Sequence, residues 1–139
     1  MINLYPKKCN ICGGEHVVYT SNSRVYGQSF QGRYIYFCED CGAYVGTQRN
    51  SKKALGILAD AQMRKGKMIC HDLFDQLWKG KRKAQHKRSA AYRELAERMG
   101  ILVCDCHFGY FDLQELRRAY PIIIEMLKER GYCNFYTDH

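Results

Sequence analysis

The hydrophobic rhythm of the chain changes near residue 50. Before that point, apolar residues fall in short runs rich in Val, Tyr, Ile and Phe, "HVVYT", "SRVYG" and "RYIYFC", separated by Asn, Ser and Gly. Runs of this kind predict strands and turns over residues 16–46. "GTQRNSKK" has no periodicity and reads as a polar hinge. Beyond it, Leu55, Leu58, Ala59, Met63, Cys70, Leu73, Phe74, Leu77 and Trp78 recur at spacings of three and four, the period of an amphipathic helix. Gly66 falls inside this run and leaves open one helix or two. "SAAYRELAERMG" predicts a further helix, with Ser89 as its cap, Tyr92, Leu95, Ala96 and Met99 on one face and Gly100 as its stop. Asp112 and Glu115 have the spacing of a capping box ahead of "LQELRRAYPIIIEMLKERG", and Pro121 is expected to break or kink that helix near Tyr120. The pattern gives an α+β chain: a small unit of short strands over residues 1–50, then a helical domain over residues 51–139.

Cysteine usage changes this picture most. Cys9 and Cys12 form one Cys-x-x-Cys-Gly pair, Cys38 and Cys41 a second. Two residues between paired cysteines let both sulfurs reach one ion through a tight turn, and four thiolates at tetrahedral corners suit zinc. Gly13 and Gly42 follow the second cysteine of each pair, where the chain must turn back and bring backbone N–H groups toward sulfur. The expectation is a four-cysteine zinc ribbon holding one structural Zn2+. Four thiolates fill the coordination sphere, so no position remains for a catalytic water. A redox dithiol is the competing reading, but such a motif normally occurs once, between a strand and a helix. A second cluster is less diagnostic. "ICHDLF" places Cys70 beside His71, and "VCDCHFGYFD" places Cys104, Cys106 and His107 together. These five are a candidate second metal site, weighed against ordinary buried thiols and hydrogen-bonded imidazoles. Cys133 has no evident partner.

Charge adds a function class. The net charge is +8 and is unevenly spread. Residues 1–50 hold five basic and three acidic side chains, residues 51–88 eleven and three, and residues 89–139 six and eight. The densest stretch, "KGKRKAQHKR", holds Lys79, Lys81, Arg82, Lys83, Lys87 and Arg88 and is expected as an inter-helix segment at 79–88. A local basic block points to a polyanion or an acidic partner, against the bland reading of a solvated loop. Tyr34 and Tyr36 alternate onto one face of their strand and are candidates for base stacking, against packing in the ribbon's own core. "YRELAERMGI" has the look of the first helix of a helix-turn-helix, but "ILVCDCHFGYF" is too long a connection for that unit. The start "MINLYPKK" has no apolar run of signal-peptide length, and no stretch reaches the roughly 18 apolar residues of a membrane span. The expectation is a cytoplasmic protein with no membrane association and no small-molecule substrate. The acids Asp72, Asp75, Asp105 and Asp112 form no spacing of a metal-nuclease centre, so no enzyme is expected.

The order of motifs resembles a small bacterial and phage family of zinc-finger-containing proteins. The stretches that carry the resemblance are "CNICGG", "VYGQS", "CEDCGAYVG", "LGILAD", "FDQLW", "AAYRELAERMGI" and "CHFGYFD". It implies zinc at Cys9, Cys12, Cys38 and Cys41, and it directs interest to His71 and His107 without giving them a role. Cys104 and the basic block look like features of this chain. The family lends no reaction, and its setting on phages and mobile elements implies business with DNA or with host systems that act on DNA. Two functions follow as expectations. One is a non-enzymatic nucleic-acid-binding accessory protein of phage or mobile-element type. The other is a phage-encoded, anti-CRISPR-like inhibitor of a host defence nuclease, acting on a protein or a protein–nucleic-acid complex.

Overall fold

The computed structural model describes residues 2–132; Cys133 lies outside them. The elements run β1 (Val17–Ser21), α1 (Ser23–Tyr26), β2 (Tyr34–Cys38), β3 (Tyr44–Gly46), α2 (Ala61–Asp75), α3 (Ala84–Met99), two single 3-10 turns (Val103–Asp105 and Phe108–Tyr110) and α4 (Leu113–Glu129). The fold is α+β, with the strands and the cysteine quartet in the N-terminal part and helices after them. Two compact units divide it, the first Met1–Arg64 and the second from Lys65 onward. Among the described residues no helix is long and apolar enough to cross a membrane.

In the first unit, β1, β2 and β3 form one antiparallel sheet in that order. Val17 lies opposite Cys38, Tyr19 opposite Tyr36 and Tyr36 opposite Val45. "SRVYG", which reads as a strand, is instead a single helical turn. The reason is Asn22, a buried side chain that accepts from the Phe30 N–H at 2.8 Å and donates to the Phe30 carbonyl at 2.9 Å. That grip bends the chain more strongly than the β preference of Val25 and Tyr26 extends it. The polar stretch after Gly46 does not swing free as a hinge. Leu55 N–H donates to the Gly46 carbonyl at 2.9 Å, Ala54 N–H to the Leu4 carbonyl at 2.8 Å, and Thr47 bridges Ala54. The Asn10 side chain accepts from the Leu58 N–H and donates to its carbonyl, both at 2.9 Å. Residues 55–59, counted with the following helix on periodicity, are therefore not helical: the chain bends over residues 55–57, and Tyr44 forms a bridge with Ala59. The helix starts at Ala61 because the Asp60 carboxylate accepts from the Met63 N–H at 2.9 Å, an N-cap bond.

The second unit is built on apolar burial. Leu73, Phe74, Leu95, Phe111, Ile123, Met126 and Leu127 are sealed from solvent in one cluster. Phe74 meets Tyr92 and Phe108 with ring centroids 4.4 and 5.3 Å apart. α2 runs unbroken through Gly66, where a Cβ would meet Leu116 Cδ1 at 3.3 Å; the glycine admits a close neighbour from α4. α4 opens on the expected capping box: Glu115 N–H donates to Asp112 Oδ1 at 2.8 Å, and Asp112 N–H to Glu115 Oε1 at 3.0 Å. Pro121 does not end the helix, which continues to Glu129. It is exposed, while Ala119, Ile123 and Ile124 around it are buried. Packing therefore holds the helix together, and Arg117, whose carbonyl loses its donor to the proline, is like Pro121 an exposed residue. α3 begins five residues earlier than Ser89, at Ala84, behind Lys83 with a left-handed backbone (φ 56°). It ends as expected, with Gly100 N–H donating to the Ala96 and Glu97 carbonyls.

Candidate metal centre

The two knuckles repeat one backbone geometry. Cys9 N–H donates to the Gly14 carbonyl and Cys38 N–H to the Ala43 carbonyl, both at 2.8 Å. Gly13 N–H then closes on the Cys9 carbonyl at 2.9 Å, and Gly42 N–H on the Cys38 carbonyl at 2.8 Å. Each closure needs a left-handed residue, and Gly13 (φ 76°) and Gly42 (φ 83°) supply it without a Cβ penalty. Gly14 answers a different need, since a Cβ there would run into the Asp40 carboxylate of the other knuckle.

These turns aim four sulfurs at one point. The Sγ atoms of Cys9, Cys12, Cys38 and Cys41 all lie within 4.8 Å of one another. Cys9 and Cys41 are 3.7 Å apart, Cys12 and Cys38 3.6 Å. A tetrahedron with zinc–sulfur bonds of about 2.3 Å has edges of about 3.8 Å, so the donor set fits one structural zinc. Backbone N–H groups point at the sulfurs, Ile11 to Cys9 at 3.4 Å and Gly14 to Cys12 at 3.3 Å. As bare thiols the four compete. At Cys38, burial opposes ionisation, but N–H groups of Cys41 and Asp40 and the adjacent thiols outweigh it and bring the group to about 7. At Cys41 an N–H from Ala43 works downward, yet burial and three neighbouring thiols push it up to about 12. A dication at the centre removes that conflict by stabilising all four thiolates together. Beside the site, His16 Nδ1 lies 2.9 Å from Asp40 Oδ2, and that hydrogen bond holds the imidazole above its ordinary value.

The other candidate ligands have other contacts. Among the described residues, the quartet alone gathers three or more Cys, His, Asp or Glu groups at metal-holding distance. Cys70 is buried with its Sγ 3.7 Å from the Leu116 carbonyl, and Cys106 is buried as well. Burial pushes both thiols up to about 11, which keeps them protonated. Cys104 is exposed. His71 Nδ1 pairs with Asp75 at 3.1 Å and its ring meets the edge of Phe108. His107 packs its ring on Tyr110 at 4.7 Å, and its carbonyl accepts from the Tyr110 N–H.

The two tyrosines also part company. Tyr36 is only 7% exposed, and its hydroxyl donates to the Lys52 carbonyl at 2.7 Å, so it serves packing and offers no face to a base. Tyr34 is 45% exposed. In the basic block, Lys81 sits 4.0 Å over the Tyr132 ring, and Arg88 lies 4.9 Å from Tyr92 and 5.5 Å from Trp78. Lys79, Arg82, Lys83 and Lys87 are exposed and form no ion pair among the described residues. The block is not wholly a connection between helices, because Lys87 and Arg88 belong to α3.

The zinc-finger-containing domain family matches residues 5–126, and the chain belongs to that family. No curated protein and no solved structure matches it.

Proposed function

We propose that this member of the zinc-finger-containing domain family is a non-enzymatic nucleic-acid-binding protein. One observation carries the reading: four exposed cations, Lys79, Arg82, Lys83 and Lys87, are gathered within nine residues that contain no acid to neutralise them. The start of α3 strengthens it. Its N-cap, Lys83, makes no side-chain cap bond, and the first turn holds no acidic residue, so unsatisfied N–H groups and the positive end of the helix add to the same anionic attraction. Such a surface favours phosphates, whose contacts set affinity and salt dependence without reading sequence. The zinc holds the small unit in shape and takes no part in chemistry.

The test replaces Lys79, Arg82, Lys83 and Lys87 by Gln and measures affinity for a labelled duplex over a range of salt. Lys81 and Arg88 are left in place because their contacts with Tyr132, Trp78 and Tyr92 serve the fold. Melting temperature and zinc content should stay as in the parent. The slope of log K against log salt should become shallower by about 3 to 4, at about 0.9 for each phosphate no longer neutralised. An unchanged slope overturns the reading. So does a stoichiometric host protein that survives nuclease treatment while the parent has no affinity for any oligonucleotide. That result would favour the inhibitor function, with the block docking on an acidic protein face.

A further inference from the structure

The first unit holds a second cationic feature that the basic block does not explain. A groove of about 760 Å³ lies between the turn at residues 30–33 and the loop at residues 48–52. Arg33, Arg49 and Lys52 line it, all three are exposed, and no carboxylate does. Three like charges around one groove repel each other until an anion enters. Arg33 is already oriented, since its Nη2 donates to the Thr47 carbonyl at 2.7 Å, which uses one of five N–H donors. The groove also has flat apolar walls. Tyr19 and Tyr34 stack with centroids 5.0 Å apart and planes 16° from parallel, and they are 39% and 45% exposed. Lys52 Nζ lies 5.7 Å from the Tyr19 ring centre. Tyr34 touches no other ring among the described residues, so a further flat ring can extend the stack.

The backbone around the groove is held in uncommon conformations. Gln31 (φ 58°) and Asn50 (φ 56°) are left-handed, and Arg33 N–H to Phe30 carbonyl (3.3 Å) and Ser51 N–H to Gln48 carbonyl (3.1 Å) close the two turns. Among the described residues the third such non-glycine is Lys83, in the basic block. Left-handed backbone is unfavourable for residues with side chains and concentrates where a surface is shaped for use.

Stacked rings beside a cluster of cations match the two halves of a nucleotide. We propose that this groove binds unpaired nucleic acid, with a base stacked on Tyr34 and phosphates held by Arg33, Arg49 and Lys52. A base inside a duplex has no free face to offer a side chain, so the strand must be single. The inference rests on the nucleic-acid reading above and narrows it to single strands for this unit.

The experiment uses the full zinc-loaded chain, with fluorescence anisotropy on a labelled twelve-residue oligo-dT and on an abasic strand of equal length. Tyr34→Ala should weaken oligo-dT binding roughly 5- to 150-fold, the range for losing one stacked base, and leave the abasic strand unaffected. Tyr34→Phe keeps the ring and should bind as the parent does. Replacing Arg33, Arg49 and Lys52 by Gln should weaken both strands and flatten the salt slope by about 2. The proposal fails if Tyr34→Ala binds oligo-dT like the parent, or if it loses both strands equally. The block variant keeps the two readings apart. If it loses affinity while Tyr34→Ala does not, the groove is refuted and the phosphate-binding block stands. If Tyr34→Ala loses oligo-dT while the block variant keeps its affinity and slope, the block is refuted and the groove stands.

Discussion

The two units bury very different amounts of apolar material. Around the cysteine quartet the buried cluster consists of Cys9, Cys38, Ala43 and Leu58, so half of it is metal ligands. From residue 65 onward the cluster holds seventeen buried residues among those described, including Phe74, Phe108, Phe111 and three Leu from α3 and α4. A small unit with so little to bury cannot offset the conformational entropy of ordering its chain. Metal binding closes that gap in small zinc domains, where it is worth roughly 10–16 kcal/mol. The same contrast decides where surface can be spared. Because the sulfurs hold the first unit, Tyr19, Tyr34, Arg33 and Lys52 need not form a core and remain outside. In the second unit most large apolar side chains are used for packing, and the proposed binding surface is therefore made of charges at the start of α3.

Removing one sulfur tests this contrast most severely. Cys38→Ser should release zinc and abolish the β-sheet of the first unit, while the helical signal of the second survives. Metal analysis and amide NMR read the two halves separately. Zinc lost while the Tyr36 and Val45 sheet resonances persist would show that the first unit folds on burial alone, and zinc retained would show that three sulfurs suffice to hold the metal. Loss of both units together would show that the second is conditional on the metal as well.

The reverse change comes next in size. Phe74 is sealed from solvent and packs against Tyr92 and Phe108, so Phe74→Ala should cost the second unit about 3–5 kcal/mol. Zinc stoichiometry should stay at that of the parent. Chemical denaturation followed by the helical signal measures the first quantity, and metal analysis the second. A loss under about 1 kcal/mol would mean that the cluster is looser than its burial indicates.

The sequence discloses these two kinds of stability unequally. Cysteine spacing reveals the metal site because ligand geometry is local: a tight turn, two sulfurs, a glycine. The capping box at Asp112 and the stop at Gly100 are legible for the same reason, since each is closed within a turn of helix. What periodicity misses depends on distant partners. Asn22 reaching Phe30 turns an apparent strand into a helical turn. Asn10 clasping Leu58, and Leu4 accepting from Ala54, tie down the stretch that reads as a hinge. Alternation rightly groups Tyr36 with Tyr34 on one face, as both meet Tyr19, but nothing local to the strand announces that the Lys52 loop covers Tyr36. The groove at Tyr34 is hidden for a related reason: Arg33 is sixteen residues from Arg49 and meets the loop of Arg49 and Lys52 only through the fold. The sole local hint is the pairing of Arg33 with Tyr34. The early start of α3 leaves no signal, because Lys83 is neither a common cap nor a residue suited to left-handed backbone.

The smallest effect concerns how the second unit responds to acid. Arg98 in α3 reaches Glu129 at the end of α4 at 2.6 Å and Glu94 at 2.8 Å, and Arg130 reaches Glu94 at 2.6 Å. The hydrogen bond from Arg98, followed by the charges of Arg98 and Arg130, holds the Glu129 carboxyl below the ordinary glutamate value. A carboxyl that is harder to protonate folded than unfolded stabilises the fold while it is ionised. That contribution is complete above the unfolded glutamate value of about 4.3 and is lost as pH falls through the lower folded value. The pair is exposed, so the effect is modest and fades with salt. Carboxyl NMR should place the Glu129 midpoint below the ordinary range in the parent and return it toward that range in Arg98→Met. Adding salt should narrow the gap between the two. Identical midpoints in parent and variant would mean that the Arg98–Glu129 pair does not persist in solution, leaving α3 and α4 joined by the apolar cluster, the Arg130–Glu94 pair and the Arg118 bond to the Met99 carbonyl.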